Sequence, residues 1–266
     1  GNMVGVAPRA PVVPYRAVTS VALMSADEVS RVADAVDHAV NISLCSVVNV
    51  SLGARPVFIP ISPFRRALAK LGEACDRAYE KGVIVVAALG NNLHDRATYP
   101  GKYWRTICAA GVEPVFKDGV LTAVEMWKPQ PQPLISGDYA HIDTWAPSDF
   151  IFRAQARRRT GEVQDDYAPE VDGDGTSYAA AAVTGTAAIW LARRKNDIGA
   201  LYPPDEPWML TEAFRKLLRD SHPNKPEDAP KENTASILNA KVLVEAALPQ
   251  PKDLEFEKRL SRDMWG

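Results

Sequence analysis

Residues 172–190 read DGDGTSYAAAAVTGTAAIW, an acidic and glycine-rich turn that runs directly into an alanine-rich helical pattern. This junction predicts that Ser177 lies at a helix N-terminus, where unpaired backbone N–H groups and the positive end of the helix dipole converge. Attack of a serine on a carbonyl generates an oxyanion, which such N–H groups are placed to stabilise. The commoner alternative is that Thr176 or Ser177 simply caps a buried helix. The stretch therefore indicates a candidate nucleophile and leaves the capping role open.

The composition is that of an ordinary globular chain. Its 266 residues are 46% hydrophobic and 24% charged, which suits one large domain or two small ones. The 31 basic and 33 acidic residues give a net charge of −2. Without a long basic run, this balance argues against a nucleic acid or an anionic membrane as partner. We expect Cys45, Cys75 and Cys108 to be buried thiols, because they are odd in number and lack the spacing of a metal site.

Neither a signal segment nor an apolar run of about 20 residues, the length that spans a membrane, occurs in the sequence. The chain begins abruptly at Gly1, and we expect this not to be the native N-terminus. The cellular compartment is therefore left unassigned.

Alternating strand and helix patterns organise the first half of the chain. Short apolar, β-branched runs predict strands at 12–18, 45–52, 83–88 and 106–112. Between them, Ser25 and Glu28 form a capping box that predicts the start of one helix, while Pro63 starts a second helix that ends at Gly82. This βαβ order predicts an α/β fold, with a doubly wound, mainly parallel sheet between helices in three layers.

The second half is less regular, and we expect residues 1–248 to form one domain and residues 249–266 a charged tail that docks or frays. Its predicted segments are a proline-rich loop at 128–134, a strand near 141–144, a solvated loop at 153–159, and helices at 209–219 and 237–248.

Two predicted strand ends carry groups that can bind a peptide. In parallel sheets, ligands gather beyond the carboxyl ends of the strands, where residues 51–53 and 90–92 lie. Asn91 on such a turn offers an amide donor for an oxyanion, and residues 51–53 offer an extended edge for a substrate backbone. With Ser177, they make three separate pieces of one candidate site.

These pieces resemble the subtilisin-like serine peptidases (subtilases), in the same order along the chain. The resemblance covers most of residues 4–248 and corresponds to the C-terminal two-thirds of such a domain. It is carried by residues 48–53, 82–92, 99–107, 143–147, 175–185 and 237–240. The resemblance implies a subtilisin-like fold, a serine endopeptidase that forms an acyl-enzyme, and a peptide or protein substrate.

The resemblance also implies roles for individual residues. Ser177 would be the nucleophile and Asn91 the oxyanion donor. The residues implied to bind substrate are Ser51, Leu52, Gly53, Ala88, Leu89, Gly90 and Thr176. Two departures stand out: Ala181 replaces the usual proline, and Leu89, where the family commonly has a small residue, is expected to narrow the pocket before the scissile bond. The family often binds calcium, but no dense carboxylate loop supports it here, so we predict no metal and no cofactor.

The largest departure is the absence of the family's aspartate and histidine motifs. In the family they precede a Gly-Val-Ala-Pro stretch, which here is Gly5–Pro8 near the start of the chain. We place His38 on a polar helix face, and His94, His141 and His222 also lack the family's sequence context. The chain alone is therefore predicted to be inactive.

A structural consequence follows from the same absence. The sheet should lack its N-terminal strands, so a strand at 12–18 would leave an open edge. We expect the missing segment, a partner chain or a second copy to cover that edge.

Two other functions remain open from the sequence. A peptidase-like domain without its base could serve as a binding or scaffolding module. An α/β-hydrolase would use Ser177 with the downstream His222, but its nucleophile follows a buried strand, and residues 165–175 are acidic and rich in turn formers. A hydrogen bond between Ser177 and His222 would favour that alternative.

Overall fold

The computed structural model describes residues 5–55, 63–91, 97–131, 142–158, 165–220, 224–231 and 233–265. The strands are β1 Ala22–Leu23, β2 Val47–Val50, β3 Gly53–Ala54, β4 Ile84–Ala88, β5 Ile107–Lys117, β6 Val120–Met126, β7 Thr144–Pro147, β8 Ile151–Arg158, β9 Asp165–Gly173 and β10 Ser236–Ile237. The helices are α1 Ala26–Asn41, α2 Pro63–Glu80, α3 Thr176–Arg193, α4 Lys195–Leu201, α5 Met209–Asp220 and α6 Ala240–Glu245.

A parallel sheet lies at the centre, with the strand order β10-β7-β5-β4-β2, and β6 pairs with β5 in antiparallel fashion. Every residue of β4 is buried, and its side chains alternate between two cores. Val86 packs with α3 and α5 on one face, whereas Val85 packs with α1 and α2 on the other. The predicted α/β fold with three layers is confirmed.

Local signals fix the first two helices as predicted. The hydroxyl of Ser25 accepts the Glu28 N–H at 3.2 Å, and the Glu28 carboxylate accepts the N–H groups of Met24 and Ser25. The Met24 N–H is the largest of the causes that lower the pKa of Glu28. After α2, Gly82 has a φ of 71°, which only glycine adopts without strain.

Residues 12–18 do not form the predicted strand. They are irregular and largely exposed, because Pro11 and Pro14 cannot donate to a β-ladder. The segment instead contacts α1, where Arg31 donates to the Ala17 carbonyl. Upstream of it, Val6 lies against Gly185 of α3. At the end of the described sheet opposite β10, the edge strand is therefore β2, not residues 12–18.

Two predictions in the second half are also wrong. Residues 153–158 belong to an antiparallel hairpin of β8 and β9 rather than to a loop, and the register sets Arg157 opposite Asp166. The segment predicted as one helix from residue 237 instead begins with β10, and Asn239 then caps the shorter α6.

The C-terminal residues pack against α2 instead of fraying. The Asp76 carboxylate of α2 accepts the Ser261 N–H at 3.0 Å, and the buried Arg105 donates to the Glu257 carbonyl at 2.8 Å. The guanidinium of Arg259 stacks on Trp104. Among the helices of the described ranges, none is long and apolar enough to cross a bilayer.

Candidate active site

Ser177 lies in the first turn of α3 and is joined to the end of β2. Its Oγ donates to the Ser51 carbonyl at 3.4 Å, and the Ser51 Oγ donates to the Ser177 carbonyl at 3.1 Å. Gly175 caps the helix with a φ of 128°, a conformation that strains any residue with a side chain. The turn therefore needs glycine to present the serine beside the strand.

Asn91 is held by the residue that precedes the serine. Its Oδ1 accepts both the Thr176 N–H at 2.9 Å and the Thr176 hydroxyl at 2.8 Å. The same hydroxyl accepts the Gly90 N–H at 3.0 Å, and Thr176 is fully buried. Within the described residues, no hydrogen bond uses the Asn91 Nδ2 as its donor, and a Cβ built on Gly175 would lie only 2.6 Å from this atom. The donor thus lies against the turn that carries Ser177, where an oxyanion would form.

The other predicted substrate-binding residues differ in how accessible they are. Ser51 and Leu52 are half-buried and lie between β2 and β3. Gly53 belongs to β3, and its N–H already donates to the Val21 carbonyl at 2.9 Å. The edge available to a peptide is therefore shorter than residues 51–53.

Leu89 does not reach the cleft. It is fully buried and packs with Ile142 and Trp145 in a separate core cluster. The expectation that it narrows the pocket is therefore not met. Ala88 ends β4 in the core, and the half-buried Gly90 follows at the turn to Asn91.

Charged groups near the site come from the β8–β9 hairpin. Arg153 pairs with Asp172, with 3.0 Å between Nε and Oδ1. The hydrogen bond that Arg153 donates to the Asp172 carboxylate is the main cause that raises the pKa of Arg153. No group of side chains that could hold a metal ion occurs in the part of the chain that the structure describes.

One histidine can be placed. His38 is exposed near the end of α1, as predicted, and its Nδ1 is 2.8 Å from the Tyr15 hydroxyl. His94, His141 and His222 lie outside the described residues, so the contact of Ser177 with His222 that would favour an α/β-hydrolase is not described. The strand β9 does precede Ser177, contrary to prediction, but it belongs to a two-stranded hairpin rather than to the buried sheet.

The model of the subtilase family matches residues 1–236. The chain belongs to the subtilase family. The sequence predicted a match to only part of a subtilase domain. In agreement, this chain covers about two thirds or less of the length of each solved structure described next. No curated protein matches it.

Three solved structures share the fold of this subtilase. The patellamide maturation protease PatA is 21% identical with a TM-score of 0.54, over 81% of this chain and 67% of that one. Fervidolysin from Fervidobacterium pennivorans, a keratinolytic enzyme related to subtilisin, is 20% identical with a TM-score of 0.55, over 83% and 29%. A protease from Pseudoalteromonas arctica is 21% identical with a TM-score of 0.58, over 90% and 64%.

The sequence did not indicate that Thr176 positions Asn91, because the two residues are 85 positions apart. The Thr-Ser pair at the start of α3 was the available signal. In this subtilase a Thr176→Val change keeps the volume but removes the hydroxyl that joins Gly90 to Asn91. We expect it to lower the free energy of unfolding by about 1–3 kcal/mol, since buried polar groups lose a partner.

Urea unfolding followed by circular dichroism measures this loss. Thr122→Val is the matched control, because the Thr122 hydroxyl also bonds a carbonyl, that of Val115, but the residue is exposed. Equal losses in the two variants would contradict a positioning role for Thr176.

Proposed function

We propose that this chain provides the nucleophile, the oxyanion donor and the peptide-binding strand of a subtilisin-like serine endopeptidase. The observation that carries the proposal is the joint placement of Asn91 and Ser177 through Thr176. Ser177 Oγ would attack the scissile carbonyl, while Asn91 Nδ2 and the N-terminus of α3 stabilise the oxyanion. A base from an added segment would take the Ser177 hydroxyl proton and give it to the amine, which leaves as the C–N bond breaks. Water then hydrolyses the ester bond of the acyl-enzyme, which releases the second product and restores the Ser177 hydroxyl.

A peptide or protein is the proposed substrate. An extended peptide would place its scissile bond at Ser177 and run beside Ser51 and Leu52, which lie between two short strands rather than within a continuous ladder. Backbone pairing of this kind gives affinity without demanding a particular sequence.

We also propose that the 266-residue chain is inactive by itself. The hydrogen-bond acceptor of Ser177 Oγ is the Ser51 carbonyl, which cannot take up a proton during attack. Within the described residues, no imidazole or carboxylate is hydrogen-bonded to Ser177 Oγ, and a serine hydroxyl without a base is a weak nucleophile. The family's aspartate and histidine would come from an added segment.

The edge of the sheet offers a place for such a segment. β2 pairs with β4 on one side and is one of the two terminal strands of the described sheet, the other being β10. β2 also leads directly to Ser51, the partner of Ser177. A strand added there, from a longer form of the chain, a partner or a second copy, would lie next to the nucleophile.

A fluorophosphonate probe, which labels only activated serines, tests the proposal. We expect negligible labelling of the 266-residue chain and strong labelling of a version extended upstream, lost on Ser177→Ala and kept on Ser43→Ala. Peptide-ester hydrolysis should follow the same pattern. Labelling of the 266-residue chain at ordinary enzyme rates would refute its inactivity. An extended form that neither labels nor hydrolyses would favour a binding module.

A further inference from the structure

Asn49 connects the edge strand β2 to the helix that carries the nucleophile. Its Nδ2 donates to the Ser51 hydroxyl at 2.9 Å, and its Oδ1 accepts from the Thr184 hydroxyl of α3 at 3.0 Å. The Ser51 hydroxyl in turn donates to the Ser177 carbonyl at 3.1 Å. A chain of hydrogen bonds therefore runs from α3 to β2 and back to the first turn of α3. We call Asn49, Ser51 and Thr184 the β2–α3 polar network.

The network fixes the direction of the Ser51 hydroxyl. A serine hydroxyl carries one proton and rotates unless its neighbours select an orientation. Because the Nδ2 group of Asn49 is a donor, the Ser51 oxygen accepts from it and directs its own proton to the Ser177 carbonyl. The Thr184 hydroxyl selects the orientation of the Asn49 amide by donating to Oδ1, and a second bond to the Ala180 carbonyl at 2.7 Å anchors it on α3. Without the Asn49 donor, the Ser51 proton is free to turn to water.

Two reciprocal bonds join Ser51 to Ser177, and they behave differently during attack. In the resting chain, Ser177 Oγ donates to the Ser51 carbonyl at 3.4 Å. This bond is lost when Ser177 gives up its proton, because an oxygen without a proton cannot donate. The bond from the Ser51 hydroxyl to the Ser177 carbonyl involves no reacting atom, so it persists. It then holds the start of α3 against the end of β2 while the serine reacts.

We propose that Asn49 is a positioning residue for Ser177, which acts through the Ser51 hydroxyl and affects the reaction step rather than substrate binding. This inference rests on the proposed function, because it takes Ser177 as the nucleophile. Attack requires the reacting atoms to be held about 3–3.5 Å apart, so a small shift of the first turn of α3 slows it. Asn49 itself is exposed, and an exposed hydrogen bond adds little to stability. The network therefore has more influence on the geometry of Ser177 than on folding.

Inactivation by a fluorophosphonate tests this in the form of the chain extended upstream. In that reaction the Ser177 oxygen bonds to phosphorus, fluoride leaves, and the hydroxyl proton passes to the base of the added segment. Asn49→Ala removes the donor, while Ser51→Ala removes the hydroxyl and keeps the backbone carbonyl. We expect each variant to lower the labelling rate at saturating probe about fivefold, the effect of one hydrogen bond. The probe concentration that gives half of this rate should not change.

A double variant shows whether Asn49 acts through Ser51. Asn49→Ala combined with Ser51→Ala should label no more slowly than either single variant, because both changes remove the same bond to Ser177. Asn41→Ala is the matched control. The Asn41 side chain is also exposed and donates to the Asp37 carbonyl at 2.8 Å, but it lies at the end of α1. Its labelling rate should equal that of the parent.

Four outcomes would overturn the inference. They are an unchanged rate in Asn49→Ala, additive losses in the double variant, an equal loss in Asn41→Ala, and a loss that appears as weaker probe binding alone. The last of these would place Asn49 in the substrate site.

Failure of the proposed function is recognised separately, because the parent extended form would then not be labelled at all. Hydrogen exchange of the 266-residue chain, followed by mass spectrometry, tests the network in that event. We expect faster exchange in peptides that cover residues 176–184 of Asn49→Ala and Ser51→Ala, and parent-like exchange in Asn41→Ala. Unchanged exchange in Asn49→Ala would contradict its positioning role.

Discussion

An Asp143→Ala variant is expected to lose about 3–5 kcal/mol of its free energy of unfolding, the usual cost of leaving a buried ion without its partner. The Asp143 carboxylate accepts bonds from Arg215 Nε at 3.0 Å, Arg219 Nη2 at 2.6 Å and the Cys108 N–H at 2.9 Å. Burial lowers the pKa of Arg215, but the carboxylates of Asp143 and Glu212 outweigh it and raise the pKa. Because a guanidinium does not lose its proton in proteins, Arg215 stays charged in the core after the substitution.

Urea unfolding at neutral pH measures the loss. Asp220→Ala is the control, since it breaks the exposed pair with Lys216, and exposed pairs contribute at most about 1 kcal/mol. Similar losses in both variants would show that the Asp143 network does not stabilise the β5–β7–α5 contact.

An Arg105→Met variant is expected to lose about 3 kcal/mol of its free energy of unfolding and to release the C-terminal residues from α2. Arg105 is fully buried, donates twice to the Glu257 carbonyl, and lies over the rings of Tyr79 and Phe256. Methionine would keep the apolar contacts of the Arg105 side chain but would make none of its hydrogen bonds. Limited trypsin digestion with mass spectrometry should show earlier cleavage after Lys258 than in the parent chain.

The stability that Arg105→Met loses should depend on pH, because Arg105 affects the pKa of Asp76. Burial raises the pKa of Asp76, while the N–H groups of Ser261 and Arg262 and the charge of Arg105 oppose the rise. A folded pKa above the unfolded one means that stability is complete below the ordinary aspartate pKa and falls as the pH rises through the raised value. Removing Arg105 enlarges that difference, so the deficit should be greater at pH 7 than near pH 4.

Arg259→Met is the matched control. Arg259 belongs to the same tail and stacks on Trp104, but its side chain is more than half exposed. We expect little change in unfolding and in trypsin cleavage elsewhere in the tail. A deficit for Arg105→Met that is the same at both pH values would exclude Asp76 as its source.

Local sequence patterns are sufficient to predict most strands of the sheet and most helices. β4 and α1 follow from periodicity and capping alone, because their signals lie within a few residues. The prediction of a strand at 12–18 is wrong because Pro14 interrupts its β-branched pattern. The β8–β9 hairpin is not predicted, because a run of arginines is typical of a solvated surface. The described pair of Arg153 with Asp172 joins the two strands, and a run of arginines does not by itself reveal such a partner.

The candidate site was predictable only in part. Motifs and the family resemblance predict the roles of Ser177 and Asn91. The hydrogen bonds that hold these residues in place join partners 85 and 126 positions apart, which no local pattern reveals. Nothing local in Leu89 indicates that its side chain turns into a core with Trp145. Pairings such as Asp76 with Ser261 are likewise invisible to pattern analysis, because neither residue stands out in its own segment.

The contact of Asp76 with Ser261 also sets the order in which the domain can be completed during synthesis. The two residues are 185 positions apart, so at about 5–20 residues per second the ribosome needs roughly 10–40 s between them. During that time α2 has been made, but the backbone donors that satisfy its buried carboxylate do not yet exist. A nascent chain therefore stays open to proteases and aggregation at this face until the residues around Ser261 have left the ribosome.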